Sequence, residues 1–194
     1  MLISRRTLLT SALATGFAAS AQSKILPGEP FPVQDNDDEK AEYKFRKQIV
    51  DAPLQGVPGT VVVNPGRCWL YLLTDGGKAV RFGISAGKYG DWHGETVVGR
   101  MEKWPIWTPT PDHLKRRPDL IKYINGLPGG LHNPMGARAI YLYQNNVDTT
   151  YRIHGTDDPS YIGTRATAGC FGMFNADVIW LYDRVKMGTR VVVL

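Results

Sequence analysis

One histidine and one cysteine stand close together near the end of the chain, each beside a glycine. His154 precedes Gly155, and Cys170 follows Gly169 sixteen positions after the histidine. A free thiol has a pKa of about 8.5, so only a few per cent of it is thiolate at neutral pH, and a neighbouring imidazole can take its proton. The pair could therefore attack a carbonyl carbon, with the cysteine as nucleophile and the histidine as general acid and base.

This chemistry needs two supporting groups. Attack on a carbonyl places negative charge on its oxygen, and that charge needs hydrogen-bond donors that already point towards it. Gly169 lets the backbone approach closely, so we expect its N–H, with that of Cys170, to be the oxyanion donor. The second nitrogen of His154 also needs a partner, and no single acidic residue stands out, so the backbone carbonyl of Gly155 is the predicted one.

The same residues allow two other interpretations. In an oxidising compartment Cys170 could form a disulfide with Cys68, the one other cysteine. Cys68 lies in the strand-like run RCWLYLL, where a free, buried thiol is more typical. A cysteine peptidase of another fold would use Asp157 or Asp158 to orient the histidine, but both lie in TDDPS, a pattern typical of a turn.

Other kinds of site leave little trace in the sequence. Four histidines and two cysteines are present without C-x-x-C or H-x-x-x-H spacing, so we expect no metal. A phosphate-binding loop and a dinucleotide glycine motif are both missing, so we expect no cofactor. GISAG at Gly83–Gly87 has the spacing of a serine-hydrolase elbow, but no helix follows it, which favours a strand ending in a turn.

Short apolar runs between glycines and prolines must position these residues. There are 21 glycines and 13 prolines in 194 residues, which predicts many turns and a mostly β fold with one or two short helices. The expected strands and helices lie in the following ranges: a hairpin at Gly59–Leu73, strands within Ala79–Gly87, Glu95–Trp107 and Gly126–Tyr143, a strand ending at His154, a helix within Thr108–Ile124, a helix at Asn175–Gly188 and a last strand at Thr189–Leu194.

The first 21 residues have the composition of an export signal. Arg5 and Arg6 precede an apolar run, and the segment SRRTLL resembles the twin-arginine signal of bacteria. The apolar run of about a dozen residues is short for an uncleaved membrane anchor. We expect a mature protein in the periplasm, without a membrane span. Its formal net charge, +5 for the whole chain, falls to +3 without residues 1–21, too little for a nucleic-acid-binding protein.

The next segment, residues 22–51, combines prolines with an acidic cluster and a basic end. It predicts a flexible linker, with a short helix around Glu39–Val50 at its end. The globular domain is then expected to cover residues 52–194.

Several separated motifs resemble one known family. HGT at His154–Thr156 and AGCFGM at Ala168–Met173 resemble the signature of the L,D-transpeptidase (YkuD-type) catalytic domain, in which H-G precedes S/T-x-G-C. The segments WPIWTPTPDHLKRRPDL, GLPGGLHNPMGARAIYLY and VVVNPGRCWLYLL are similar to segments that precede the histidine in that family. The resemblance covers about residues 56–194.

This resemblance implies a mixed, β-sandwich-like catalytic domain and a reaction on peptidoglycan. Cys170 would attack the carbonyl of meso-diaminopimelate in a tetrapeptide stem, D-alanine would leave with a proton from His154, and a thioester would remain. An amine of a second stem would then form a 3–3 cross-link. An amine of an envelope protein would instead tether that protein to the wall, and water would trim the stem.

One position departs from the family pattern. Members commonly carry an arginine two residues after the cysteine, where this chain has Gly172. The glycine removes a positive charge that would lower the pKa of the thiol and a donor fork that would hold the donor stem. Thr167, at the S/T position of the motif, is an expected substrate-binding residue, and Arg165, Arg138 and His132 are the candidates that could compensate. A wall-binding protein that has lost turnover is the alternative.

Overall fold

Strands dominate the computed structural model, which describes residues 25–35, 37–88 and 92–194. The described residues hold eleven strands: β1 Gln48–Asp51, β2 Val61–Asn64, β3 Trp69–Leu73, β4 Lys78–Gly83, β5 Ala86–Gly87, β6 Gly94–Lys103, β7 Arg138–Gln144, β8 Val147–His154, β9 Arg165–Thr167, β10 Phe171–Gly172 and β11 Arg190–Val193. Two α-helices, α1 Pro111–Arg116 and α2 Asn175–Tyr182, accompany them. The predicted mostly β fold with short helices is confirmed.

Nine of these strands form one mixed sheet in the order β1-β4-β3-β2-β11-β6-β7-β8-β10, and β5 and β9 form a small second sheet. β11 lies at the middle of the large sheet, parallel to β2 and antiparallel to β6. At the far edge, β10 runs parallel to β8. The predicted hairpin at 59–73 is the β2–β3 pair, joined by a 3₁₀ turn at Pro65–Arg67.

The main core forms because β-branched and aromatic residues alternate along these strands. One face of β7 and β8 buries Ile140, Leu142 and Ile153 together with Val178 and Leu181 of α2. The other face of β7 carries a second cluster of Met135, Ala139 and Tyr141, with Trp107 and Tyr143 against it. Successive side chains of a strand point to opposite faces, so each residue of β7 and β8 belongs to one of these two surfaces.

The two predicted helices are shorter than expected. The Thr108–Ile124 stretch contains α1, capped by the Thr110 hydroxyl, and a separate 3₁₀ helix at Pro118–Tyr123. Arg117 between them has φ −136° and ψ 79°, because a residue that precedes proline is forced out of the helical region. The second helix ends at Tyr182 rather than at Gly188.

The N-terminal part of the described chain is not a flexible linker. The helix predicted at Glu39–Val50 is wrong, since two 3₁₀ turns, Asp37–Lys40 and Tyr43–Phe45, are followed by β1, which pairs with β4. Val33 and Phe45 are buried among other apolar side chains. A few apolar residues in a charged run are enough to dock this segment on the sheet.

The expected export signal, residues 1–21, lies outside the described residues. Within the described ranges, no helix is both long enough and apolar enough to cross a bilayer.

Candidate active site

Two neighbouring strands bring the predicted nucleophile and base together. His154 is the last residue of β8, and Gly172 of β10 is its lateral partner in the parallel pair. Cys170 immediately precedes β10, two residues before Gly172, so its Cα lies about 8 Å from that of His154 by strand geometry. The two-residue period also places both side chains on the same face of the sheet.

The imidazole of His154 is almost fully buried, with 9% of its surface exposed. Its Nδ1 lies 2.6 Å from the carbonyl oxygen of Gly155. Because that oxygen can only accept, Nδ1 carries the proton and Nε2 is left as a lone-pair acceptor. Burial lowers the pKa of His154 to about 4, against the opposing effect of the Gly155 carbonyl, and the ring is therefore neutral at neutral pH.

The thiol of Cys170 is also neutral at rest. Burial raises its pKa, while the backbone N–H and the guanidinium charge of Arg152 lower it. The sulfur lies 3.9 Å from the carbonyl oxygen of Thr150, to which it can donate weakly. The resting site therefore holds a neutral thiol and a neutral imidazole rather than an ion pair.

Both cysteines are free, so the disulfide alternative is wrong for this structure. Cys68 is buried, and burial raises its pKa, as expected of a small apolar core residue.

The loop before Cys170 is shaped by Thr167. Its hydroxyl donates to the carbonyl oxygen of Cys170 at 2.6 Å and lies 3.4 Å from the N–H of Gly169. Gly169 has φ +151°, which side-chain-bearing residues rarely adopt, and a Cβ on Gly87 would lie 2.8 Å from its Cα. Thr167 thus holds the cysteine loop in place, and the Gly169 N–H is directed at its hydroxyl in the resting state. The oxyanion role of Gly169 stays a prediction.

Asn175, at the start of α2, fixes the backbone that follows His154. Its Oδ1 accepts from the N–H of Ala137 at 2.9 Å and of Thr156 at 3.3 Å, and its Nδ2 donates to the carbonyl of Thr156 at 2.8 Å. A Cβ on Gly155 would lie 2.2 Å from Oδ1, so only glycine fits there. Sequence reasoning missed Asn175, because nothing in the run MFNADV marks a side chain that reaches back to another strand.

Arg138 does not line this site, which corrects the prediction that it binds substrate. It is 2% exposed, forms a two-point ion pair with Glu29 and lies over the ring of Tyr182. The residue that shares a face with His154 is its register partner Ala139, so the neighbouring Arg138 points to the opposite face.

Arg165 and His132 lie at the surface. The Nε of Arg165 donates to the carbonyl of Gly87 at 3.0 Å, and His132 lies near Asp157. Their predicted binding roles stay predictions. Asp158 caps the Pro159–Tyr161 turn through the N–H of Ser160, as expected of a turn residue.

Gly172 packs against Ser85, which lies in the short segment between β4 and β5. A Cβ at this position would lie 2.4 Å from Oγ of Ser85, which is itself 3% exposed. The two backbones bond reciprocally, Ser85 N–H to Gly172 O at 2.8 Å and Gly172 N–H to Ser85 O at 3.0 Å. Ser85 thus occupies the space into which an arginine side chain would begin. In the GISAG segment Gly83 ends β4 and Ala86–Gly87 form β5, and the next element among the described residues is β6 rather than a helix.

Among the described residues, no group of three or more His, Cys, Asp or Glu side chains is arranged to hold a metal ion.

Comparison with known sequences decides the family. A profile of the L,D-transpeptidase catalytic domain (YkuD) matches residues 58–193. The chain belongs to this family. It is a family of acyltransferases that act on peptidoglycan, and the mixed, mostly β fold described above is consistent with membership.

Two relatives differ in how much of their length is shared. ErfK/SrfK of Escherichia coli, described as a probable L,D-transpeptidase, is 35% identical over 144 residues, which is 69% of this chain and 43% of that protein. The chain thus spans less than half of that relative. A candidate L,D-transpeptidase encoded in the ATP synthase subunits region of Fuscovulum blasticum is 30% identical over 196 residues, covering 99% of this chain and 98% of that one.

Solved structures place the chain in the same fold. A Brucella melitensis protein, described as a probable carnitine operon oxidoreductase, is 44% identical with a TM-score of 0.54, covering 81% of this chain and 99% of that one. An L,D-transpeptidase from Mycobacterium smegmatis is 16% identical with a TM-score of 0.51, covering 70% of this chain and 58% of that one. The second similarity supports the fold alone.

Proposed function

We propose that this protein is an exported L,D-transpeptidase in which Cys170 is the nucleophile and His154 the general acid and base. The observation that carries the proposal is the tautomer of the histidine. The carbonyl of Gly155 accepts from Nδ1, which leaves Nε2 as a base on the face of the sheet that also carries the thiol. Membership of the L,D-transpeptidase family supports the proposal that the reaction is a peptide-bond exchange in peptidoglycan.

The first half-reaction breaks the bond between meso-diaminopimelate and D-alanine. The thiol proton of Cys170 moves to Nε2 of His154 while the sulfur attacks the carbonyl carbon. The oxygen then carries the negative charge, with the N–H groups of Gly169 and Cys170 as its donors. The C–N bond breaks, the imidazolium gives its proton to the leaving amine of D-alanine, and a thioester remains on the sulfur.

In the second half-reaction an amine attacks the thioester carbonyl, its proton passes to Nε2, and the thiolate leaves and is protonated again. The amine of another stem gives a 3–3 cross-link, and an amine of an envelope protein tethers that protein to the wall. Because both groups are neutral at rest, the proton transfer accompanies substrate approach rather than preceding it. No cofactor takes part in either step.

The same proposal includes the place of action. Residues 1–21 direct export by the twin-arginine route, and the mature protein works in the periplasm on peptidoglycan stem peptides. The modest net charge of the mature chain, +3, suits an anionic envelope.

The test uses the mature protein and purified tetrapeptide muropeptides, with products followed by mass spectrometry. We expect a cross-linked dimer or a trimmed stem with the wild type, and a thioester on the peptide that contains Cys170. Cys170→Ala and His154→Ala should remove these products, while Cys68→Ala, which changes the buried cysteine, should keep them. Products that persist in Cys170→Ala would refute the proposal. Binding to sacculi without any acyl-enzyme would support the wall-binding alternative instead.

A further inference from the structure

Arg152 is the charged residue nearest to the reacting pair along the sheet. It lies two residues before His154 on β8, so both side chains share one face, and extension of the β8–β10 register places Cys170 beside it. Its backbone N–H and the charge of its guanidinium both lower the pKa of the Cys170 thiol. Sequence reasoning did not select this residue, although the spacing R-x-H in a strand is the signal that could have found it.

The guanidinium of Arg152 is held in place by Asp148 and Tyr141, with a longer bond of 3.5 Å from Nη1 to the carbonyl oxygen of Tyr151. It donates to both carboxylate oxygens of Asp148, with Nη1–Oδ1 at 3.1 Å and Nη2–Oδ2 at 2.9 Å. Its central carbon lies 4.9 Å from the ring centroid of Tyr141. With 19% of the side chain exposed, the charge is screened less than that of a surface arginine.

Tyr141 is itself fixed from β6. Its hydroxyl donates to Glu102 at 2.7 Å, and the guanidinium carbon of Arg100 lies 4.2 Å from the ring centroid. The charged groups around the thiol are therefore Arg152 and Asp148 on β8, beside the neutral but titratable His154, with Arg100 and Glu102 reaching this face through contacts with Tyr141.

The two charges of the β8 pair act on Cys170 in opposite directions. Arg152 favours the thiolate and lowers the pKa of the thiol, whereas Asp148 raises it by a smaller amount. Arg152 also lowers the pKa of His154, because two positive charges on one face repel. Nη1 and Nη2 each donate one hydrogen to Asp148, which fixes the orientation of the guanidinium, and the effect inferred for it is that of its charge.

We propose that Arg152 is a positioning residue that supplies, from β8, the positive charge beside the Cys170 thiol. Ser85 fills the space beside Gly172, so the charge comes from the neighbouring strand rather than from the residues that follow the cysteine. The role in turnover rests on the proposed function, whereas the effect on the thiol does not depend on it.

The test measures the rate at which iodoacetamide alkylates Cys170 between pH 6 and pH 10, resolved from Cys68 by peptide mapping. At an effective dielectric constant near 20, a unit charge within about 10 Å shifts a pKa by roughly one unit or more. Arg152→Gln should therefore slow alkylation at pH 7 about tenfold and move the pH profile upwards. Arg152→Lys should stay within about threefold of the wild type.

Asp148→Asn is the deciding variant, because it breaks the same ion pair but removes the opposing charge. It should speed alkylation about threefold and move the profile downwards. Arg184→Gln, which removes an arginine stacked on Trp180 of α2, is the matched control and should change nothing. If Arg152→Gln and Asp148→Asn shift the profile in the same direction, or Arg152→Gln matches the control, the inference is wrong.

The outcomes separate this inference from the proposed function. Opposite shifts in alkylation without any muropeptide product would keep the role of Arg152 and refute the transpeptidase proposal. If the wild type gives muropeptide products and Arg152→Gln is alkylated normally but loses turnover, the inference about Arg152 is refuted and the transpeptidase proposal is kept. Circular dichroism checks the fold of each variant. If Arg152→Gln does not fold, Asp148→Asn and Arg152→Lys still decide the direction in which these charges shift the pH profile of alkylation.

Discussion

Asn175→Ala tests whether α2 positions the catalytic histidine. The change removes three hydrogen bonds, two accepted from Ala137 and Thr156 and one donated to the carbonyl of Thr156. A hydrogen bond contributes about 0.5–1.5 kcal/mol net, so the free energy of unfolding should fall by about 2–4 kcal/mol. The change should also loosen the orientation of His154, because Thr156 follows Gly155, whose carbonyl fixes the tautomer of the ring.

Two measurements check this prediction. Urea denaturation followed by circular dichroism gives the free energy of unfolding, and steady-state turnover of muropeptides should show a lower kcat with little change in KM. Asn125→Ala, at an exposed turn, is the control and should cost under about 0.5 kcal/mol. A loss in Asn175→Ala no larger than that of the control, or an unchanged kcat, would refute the reasoning.

Three further changes test other parts of the structure. Gly172→Arg should cost about 1–3 kcal/mol of stability by denaturation, since its Cβ meets Ser85, and adding Ser85→Gly should recover part of it; no recovery would contradict the steric account. Arg138→Met should cost about 1–3 kcal/mol, because Glu29 loses its arginine and keeps the indole N–H of Trp104 as a donor, without raising the KM for muropeptides; a raised KM would restore a binding role. Burial raises the pKa of Asp177 to about 6, so between about pH 4 and pH 6 the folded state holds the proton longer than the unfolded state. The wild type should therefore lose up to about 3 kcal/mol relative to Asp177→Asn as the pH rises through this window, measured by urea titrations at several pH values; a gain would refute the shift.

The parts of the site that sequence could predict are local in the chain. The glycines beside His154 and Cys170 and the strand-like runs around them predict a thiol and an imidazole on neighbouring segments. The carbonyl of Gly155 could be predicted as the partner of the ring because it is the adjacent residue.

The remaining parts depend on contacts between distant residues. Asn175 reaches back to the strand end at Ala137, and Ser85 meets Gly172 across 87 positions of chain. Strand alternation decides that Arg152 faces the site and Arg138 does not, and this requires the register of β7 and β8. Strand β1 could not be predicted from its charged surroundings, because pairing with β4 rather than intrinsic preference makes that segment a strand.

The place of β11 in the sheet has a consequence for biosynthesis. Four strands, β1 to β4, lie on one side of it and four, β6, β7, β8 and β10, on the other, so residues 190–193 join two half-sheets made much earlier. A nascent chain that lacks these residues exposes two unpaired strand edges at once, which is the condition that favours aggregation. Ser85, which follows β4 of the first half, bonds directly to Gly172 of β10 in the second half. In a ribosome-bound chain that lacks β11, this backbone pair beside the cysteine is therefore the link already available between the two halves.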